Sequence, residues 1–156
     1  MQNEGRIYSF DIHSSKLPLI VKSAKKLGIN IITPAEQDAR TVKLGLAGTA
    51  DKVICDVPCS GTGVMASKPE IKYKDPADFN GLYKTQGLII RSASQYLKSG
   101  GIMIYSTCSI NKAENEEIVH GFIEENNNFK LCCEETSLPN KNGAEGFYTA
   151  KIIREK

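Results

Sequence analysis

Short β-branched or aromatic runs alternate with segments of helical period along the whole chain, and this alternation constrains the fold most. Arg6 to Phe10 is an apolar-aromatic run ending at Asp11. Ser14 and Ser15 then offer an N-cap, and Leu17, Ile20, Val21, Ala24 and Leu27 follow at helical spacing, with Pro18 in the first turn and Gly28 closing the helix. Ile29 to Thr33 is a β-branched run with Asp38 just beyond, and a short helical piece is expected over Arg40 to Leu46. Lys52 to Asp56 reads as another strand ending in an acid, followed by a Gly-, Pro- and Lys-rich loop from Val57 to about Pro76. Leu82, Ile89, Ala93, Tyr96 and Leu97 mark a long amphipathic helix that Gly100 and Gly101 should end. Ile102 to Tyr105 is a continuous apolar strand running into Ser106, Thr107 and Cys108. Asn111 can cap a further helix, with Glu114 placed for a capping box and Ile118, Val119, Phe122 and Ile123 as its buried face. Phe129 to Cys132 and Phe147 to Ile153 complete the pattern as two strands. The fold class is α/β, with a largely parallel sheet expected to be covered on both faces.

At 156 residues, 40% of them hydrophobic and 24% charged, the chain has the profile of one globular domain with a core of its own. The longest uncharged stretch, Ser99 to Asn111, is too short for a membrane span, and no secretory signal is visible, so a cytoplasmic chain without a membrane partner is expected. A net charge of +2 neither demands nor excludes nucleic acid. Five cysteines, Cys55, Cys59, Cys108, Cys132 and Cys133, are an odd number with no C-x-x-C pair. His13 and His120 are not spaced as ligands, so neither a disulfide framework nor a metal site is expected. Packing or reactivity remains for the thiols.

Ligands of open α/β sheets bind beyond the carboxyl ends of the strands. Asp11, Asp38, Asp56 and Cys108 all fall at such ends, and in a parallel sheet they would share one rim. Each acid alone is equally at home as a helix cap or turn residue. An acid placed like Asp11 commonly accepts from ribose hydroxyls, with a glycine-rich turn ~20 residues before it. Only ten residues precede Asp11. Either Asp11 is not a ribose acid, or the chain is the carboxyl-terminal part of a longer protein. The segment Asp56-Val57-Pro58-Cys59-Ser60-Gly61-Thr62-Gly63 sets an acid, a rigid proline and a thiol where a buried strand breaks into a loop that a ligand can approach closely. Cys108, in Ser106-Thr107-Cys108-Ser109, ends the strand after the next helix, so neighbouring strand ends could bring the two thiols together. Two small buried cysteines would look the same.

DVPCSGTG followed by YSTCS, with Glu114-Asn115-Glu116 just beyond, resembles the RNA cytosine-5 methyltransferases, and within them the Sun/Fmu-type bacterial ribosomal RNA enzymes. Lys68-Pro69-Glu70-Ile71-Lys72-Tyr73, Lys98-Ser99-Gly100-Gly101 and Glu145-Gly146-Phe147-Tyr148-Thr149-Ala150 match as well, so the resemblance covers nearly the whole chain. It implies a Rossmann-like, S-adenosylmethionine-dependent fold whose first strand, glycine-rich loop and upstream RNA-binding region are not in this chain. The residues present would then be a partial catalytic domain with two exposed strand edges, prone to self-association and inactive alone.

By the same resemblance Cys108 is the nucleophile that adds to carbon 6 of cytosine, and Cys59 helps release the methylated base. Asp56 would touch the cytosine edge or the cofactor, Asp11 the ribose hydroxyls and Asp38 the adenine amine. RNA, small-subunit ribosomal RNA above all, is the implied partner, with Pro58, Lys68 and Lys72 as contacts; solvated surface lysines would look the same. No metal is implied. Other readings stay open: a non-catalytic RNA-binding or assembly module on this fold, a cysteine hydrolase using Cys59 with His13 as base, and thiol redox chemistry between Cys59 and Cys108.

Overall fold

In a computed structural model, residues 1–75, 79–140 and 143–155 are described. The far end of the loop expected to reach Pro76 lies outside them. Among the described residues six strands and three α-helices alternate for most of the length: β1 (Ile7–Asp11), α1 (Leu17–Lys26), β2 (Ile32–Glu36), β3 (Ala50–Asp56), α2 (Asn80–Ser94), β4 (Leu97–Thr107), α3 (Glu116–Glu125), β5 (Phe129–Ser137) and β6 (Phe147–Arg154).

The strands form two sheets rather than one. β1 and β2 pair in parallel, and a four-stranded sheet runs in the order β3-β4-β6-β5. β3 and β4 are parallel, with Val53 opposite Met103 and Asp56 opposite Ser106. The expectation of a largely parallel sheet is corrected at the far side, where β6 inserts antiparallel to both β4 and β5. The loop between β5 and β6 is too short for a crossover helix, so the two strands pair as a hairpin would.

The core lies between the four-stranded sheet and α2 and α3. Ile89, Ile90 and Ala93 recur on one stripe of α2 and meet Met103, Tyr105, Tyr148 and Ile152 of the sheet; Val119 and Phe122 bring α3 into the same cluster. Phe122 meets Phe129 edge-on at 5.1 Å between ring centroids, and Tyr105 meets Tyr148 at 6.3 Å. Each such fully buried large side chain stabilises the fold by about 1.5–3 kcal/mol. The opposite face is not covered in the way expected of a doubly wrapped sheet: Ile54 of β3 is 77% exposed.

Three local expectations also change. The long helix ends at Ser94, not at Gly100-Gly101. Leu97 already pairs with Ala50, and Lys52 next pairs with Ile102, so the two glycines sit in a bulge within β4, where Gly100 has φ +79°. Only Leu44–Leu46 of the expected 40–46 helix forms a 3-10 turn. Upstream of it, Asp38 and Gln37 side chains fold the chain back onto Arg40 and Thr41. Finally, Ser14–Lys16 forms a 3-10 turn, and no serine side chain caps α1.

Candidate active site

β3 and β4 leave the sheet side by side, and the two turns that follow carry Cys59 and Cys108. Pairing extends one step past β3, where Val57 N–H donates to Ser106 O at 3.2 Å. Pro58 is exposed, Cys59 half-buried and Ser60 fully buried. Gly61, at φ +79°, then turns the chain into the Thr62–Val64 3-10 turn. Gly63 N–H donates to Cys108 O at 3.0 Å, and Gly146 N–H to Gly63 O at 2.8 Å. A Cβ on Gly63 would run into the Gly146 carbonyl and come within 2.9 Å of Cys108 O, so only glycine lets these three turns stack.

The outcome is a pair of thiols in contact. Cys59 Sγ and Cys108 Sγ are 2.9 Å apart, both half-buried and unbridged. Burial, and then the hydrogen bond to Cys108, push the Cys59 thiol up to about 12. A group with that environment stays protonated at neutral pH.

Behind the thiols lies a buried polar network. Glu114, fully buried, accepts from Ser60 N–H at 2.7 Å, Ser60 Oγ at 2.5 Å, Ser109 Oγ at 2.6 Å and Gln86 Nε2 at 3.1 Å. Gln86 Nε2 also donates to Pro58 O at 2.8 Å. Asn115 accepts from Thr107 Oγ1 at 2.6 Å and donates to Ser109 O at 3.0 Å. The capping box expected of Asn111 and Glu114 is therefore half formed. Asn111 Oδ1 accepts from Ala113 N–H, but Glu114 turns inward, and Asn111 N–H goes to Ser109 Oγ instead. The α-helix begins only at Glu116.

The other predicted residues fall in two groups. Asp56 stands exposed at the end of β3 beside Ser106, whose hydroxyl donates to it at 3.4 Å. Asp11 and Asp38 belong to the separate β1–β2 rim. Asp11 accepts from His13 N–H at 2.8 Å and Lys16 Nζ at 3.2 Å, and these hold its carboxyl below the usual range, the amide contributing most. Asp38 is bridged by the Arg40 guanidinium, which lowers its carboxyl likewise. Among the described residues no hydrogen bond joins this rim to the thiol turns. His13 likewise follows β1, with no hydrogen bond to either thiol. Lys68 and Lys72 flank or lie within the exposed Pro69–Tyr73 turn, and Lys74 Nζ reaches back to Ser60 O at 3.4 Å. No group of three or more His, Cys, Asp or Glu side chains that could hold a metal ion occurs among the described residues. None of their helices is long and apolar enough to cross a membrane.

Ser60, Gln86 and Ser109 were not expected at the site, and Glu114 was expected only as part of a helix cap. One signal was present: each of the two thiols in contact is followed directly by serine, in Cys59-Ser60 and Cys108-Ser109. Gln86 is a polar interruption of the α2 stripe formed by Ile89, Ile90 and Ala93, a placement that demands a buried partner.

Known structures define the class. The chain superposes on a methyltransferase homologue from Pyrococcus horikoshii with a TM-score of 0.78 at 25% identity, covering 99% of this chain and 55% of that one. It matches NSun6 from Pyrococcus horikoshii, solved with SFG, at a TM-score of 0.85 and 27% identity, over 99% of this chain and 43% of the other. The fold is thus the Rossmann-like fold of S-adenosylmethionine-dependent methyltransferases. Residues 1–153 match the family described as 16S rRNA methyltransferase RsmB/F, and the chain belongs to that family. A relative from Bacillus subtilis (strain 168), named as a probable ribosomal RNA small subunit methyltransferase B, is 39% identical over 132 residues, 83% of this chain and 30% of that protein. A small-subunit methyltransferase F from Aliivibrio fischeri (strain MJ11) is 31% identical over 80% of this chain and 27% of its own length. The chain therefore spans less than a third of either relative.

Proposed function

We propose that this chain carries the reacting thiols of a cytoplasmic enzyme that methylates carbon 5 of a cytosine in small-subunit ribosomal RNA. The contact between Cys59 and Cys108 at the ends of neighbouring parallel strands carries this reading. Carbon 5 of cytosine is a poor nucleophile. Addition of the Cys108 thiolate to carbon 6 moves the double-bond electrons to carbon 5, which can then accept a methyl group. Bound S-adenosylmethionine supplies that methyl group as an electrophile on a sulfonium sulfur. Loss of the carbon 5 proton to a base restores the double bond and expels Cys108 as a thiolate.

Cys59, held protonated, is placed to hydrogen-bond the Cys108 sulfur as it leaves, which suits a release role and disfavours Cys59 as the nucleophile. The donor set fits the cofactor. Asp56 is exposed with one long hydrogen bond, and the Asp11 carboxylate holds lone pairs beyond those His13 and Lys16 use, so both can accept from hydroxyl groups; Asp38 is engaged on both oxygens by the Arg40 amide and guanidinium, and Arg40 would have to swing away for it to accept an amine. Pro58, Lys68 and Lys72 are exposed, and the turn that carries the lysines packs beside the Cys59 turn through Ile71 and Lys74, which suits contact with RNA phosphates. Because the β1–β2 rim and the thiol turns belong to separate sheets, we also propose that these residues alone do not turn over.

A chimera tests the reading: this chain replaces the matching segment of the Bacillus subtilis relative and is incubated with small-subunit RNA and labelled S-adenosylmethionine. Label recovered as 5-methylcytosine is the expected result. Label on a nitrogen or on ribose would overturn it.

A further inference from the structure

We propose that Glu114 is a positioning residue that sets the distance between the two reactive thiols, an inference that rests on the methyltransferase reading only for its catalytic consequence. A fully buried carboxyl group is costly to keep unless its oxygens are hydrogen-bonded, and Glu114 has no cation against it among the described residues. Its donors are instead drawn from both thiol turns. Ser60, the residue after Cys59, gives its amide and its hydroxyl; Ser109, the residue after Cys108, gives its hydroxyl.

One side chain thus ties two turns that are 49 residues apart in sequence, each one peptide bond from its sulfur. Further bonds close the frame. Gln86 joins Glu114 to the Pro58 carbonyl, and Thr62 Oγ1 and Ser109 Oγ lie 2.9 Å apart across the turns. Glu114 itself is held from behind, because Tyr105 Oη, in the buried sheet, donates to its carbonyl at 2.7 Å. The sequence used a capping-box position for this purpose, and α3 starts two residues later without that cap. Glu114, Ser60, Gln86 and Ser109 are all fully buried behind the thiols, so Glu114 acts through the cysteines.

Phenylarsine oxide reads the thiol spacing directly. Its arsenic(III) bonds two thiols at once, and their two protons leave with the oxide oxygen as water. The probe is titrated against the 156-residue chain carrying Cys132→Ser and Cys133→Ser, which removes the exposed vicinal pair. Glu114→Ala is expected to weaken arsenical binding by about tenfold or more, since it removes all the hydrogen bonds that its carboxyl group makes to the two turns. Ser109→Ala, which deletes one donor, should weaken it by about threefold, and Glu114→Gln should fall between the two. Arsenical binding equal to the parent's in folded Glu114→Ala, or in Ser109→Ala should Glu114→Ala fail to fold, would overturn the proposal.

In the chimera, Glu114→Gln should lower kcat with KM for RNA unchanged, whereas mere loss of folded protein would leave turnover per folded molecule unaltered. Failure of the methyltransferase reading would show as no methylation by the parent chimera, with the arsenical series intact.

Discussion

Cys55 and Cys59 lie four residues apart in sequence and differ in burial: Cys55 is buried in the sheet core, and Cys59 is half-buried on the turn that presents it. Burial drives both thiols up to about 12. In the unfolded chain a thiol titrates near ~8.5, so the folded state holds these protons more tightly. The stability they contribute is fully present below that value and is lost as pH rises toward about 12. The denaturation midpoint should therefore hold up to about pH 8.5 and fall steadily as pH rises above it, and Cys59→Ser should make the fall shallower. Equal slopes in urea titrations of the two proteins would contradict the environment assigned to Cys59.

At the level of elements, the thiol turns owe their shape to the strand ends and to the short Lys112–Glu114 turn that precedes α3. Asn115 is fully buried there and holds both Thr107 and Ser109. Asn115→Ala leaves a buried hydroxyl and a buried carbonyl short of partners, and should cost about 2–4 kcal/mol of unfolding free energy by denaturant titration. A cost below about 0.5 kcal/mol would show that the turn does not depend on it.

The strands and α-helices were largely legible because period and burial agree: Ile89, Ile90 and Ala93 repeat as a helix stripe, and Met103 and Tyr105 alternate as a strand does. Placement of both cysteines at strand ends was legible for the same reason. Glu114 was not, since a local capping pattern and a long-range buried network use the same residue type at the same spacing. The bulge at Gly100-Gly101 was misread because glycines signal a helix end and a strand irregularity alike. The antiparallel insertion of β6 had no local signature at all.

On the scale of the whole molecule, the division into two sheets is the dominant feature. Among the described residues β1 pairs only with β2, and β3 only with β4, so each presents an unpaired edge. Apolar side chains lie exposed on or beside those strands, with Tyr8 at 40%, Ile12 at 50% and Ile54 at 77%. Unpaired edges with apolar neighbours favour pairing with other chains. The isolated chain should therefore self-associate as its concentration rises, with a weight-average mass by sedimentation equilibrium that climbs above 17.1 kDa. A constant monomer mass across the range would show that these edges are blocked.

The most direct measurement is a denaturing gel of the chimera and its two cysteine variants after incubation with substrate RNA and S-adenosylmethionine. Cys59→Ala should accumulate a covalent protein–RNA band, because addition proceeds and release is impaired. Cys108→Ala should give no such band and no methyl transfer. A trapped complex with Cys108→Ala, and none with Cys59→Ala, would contradict the account by reversing the roles of the two thiols.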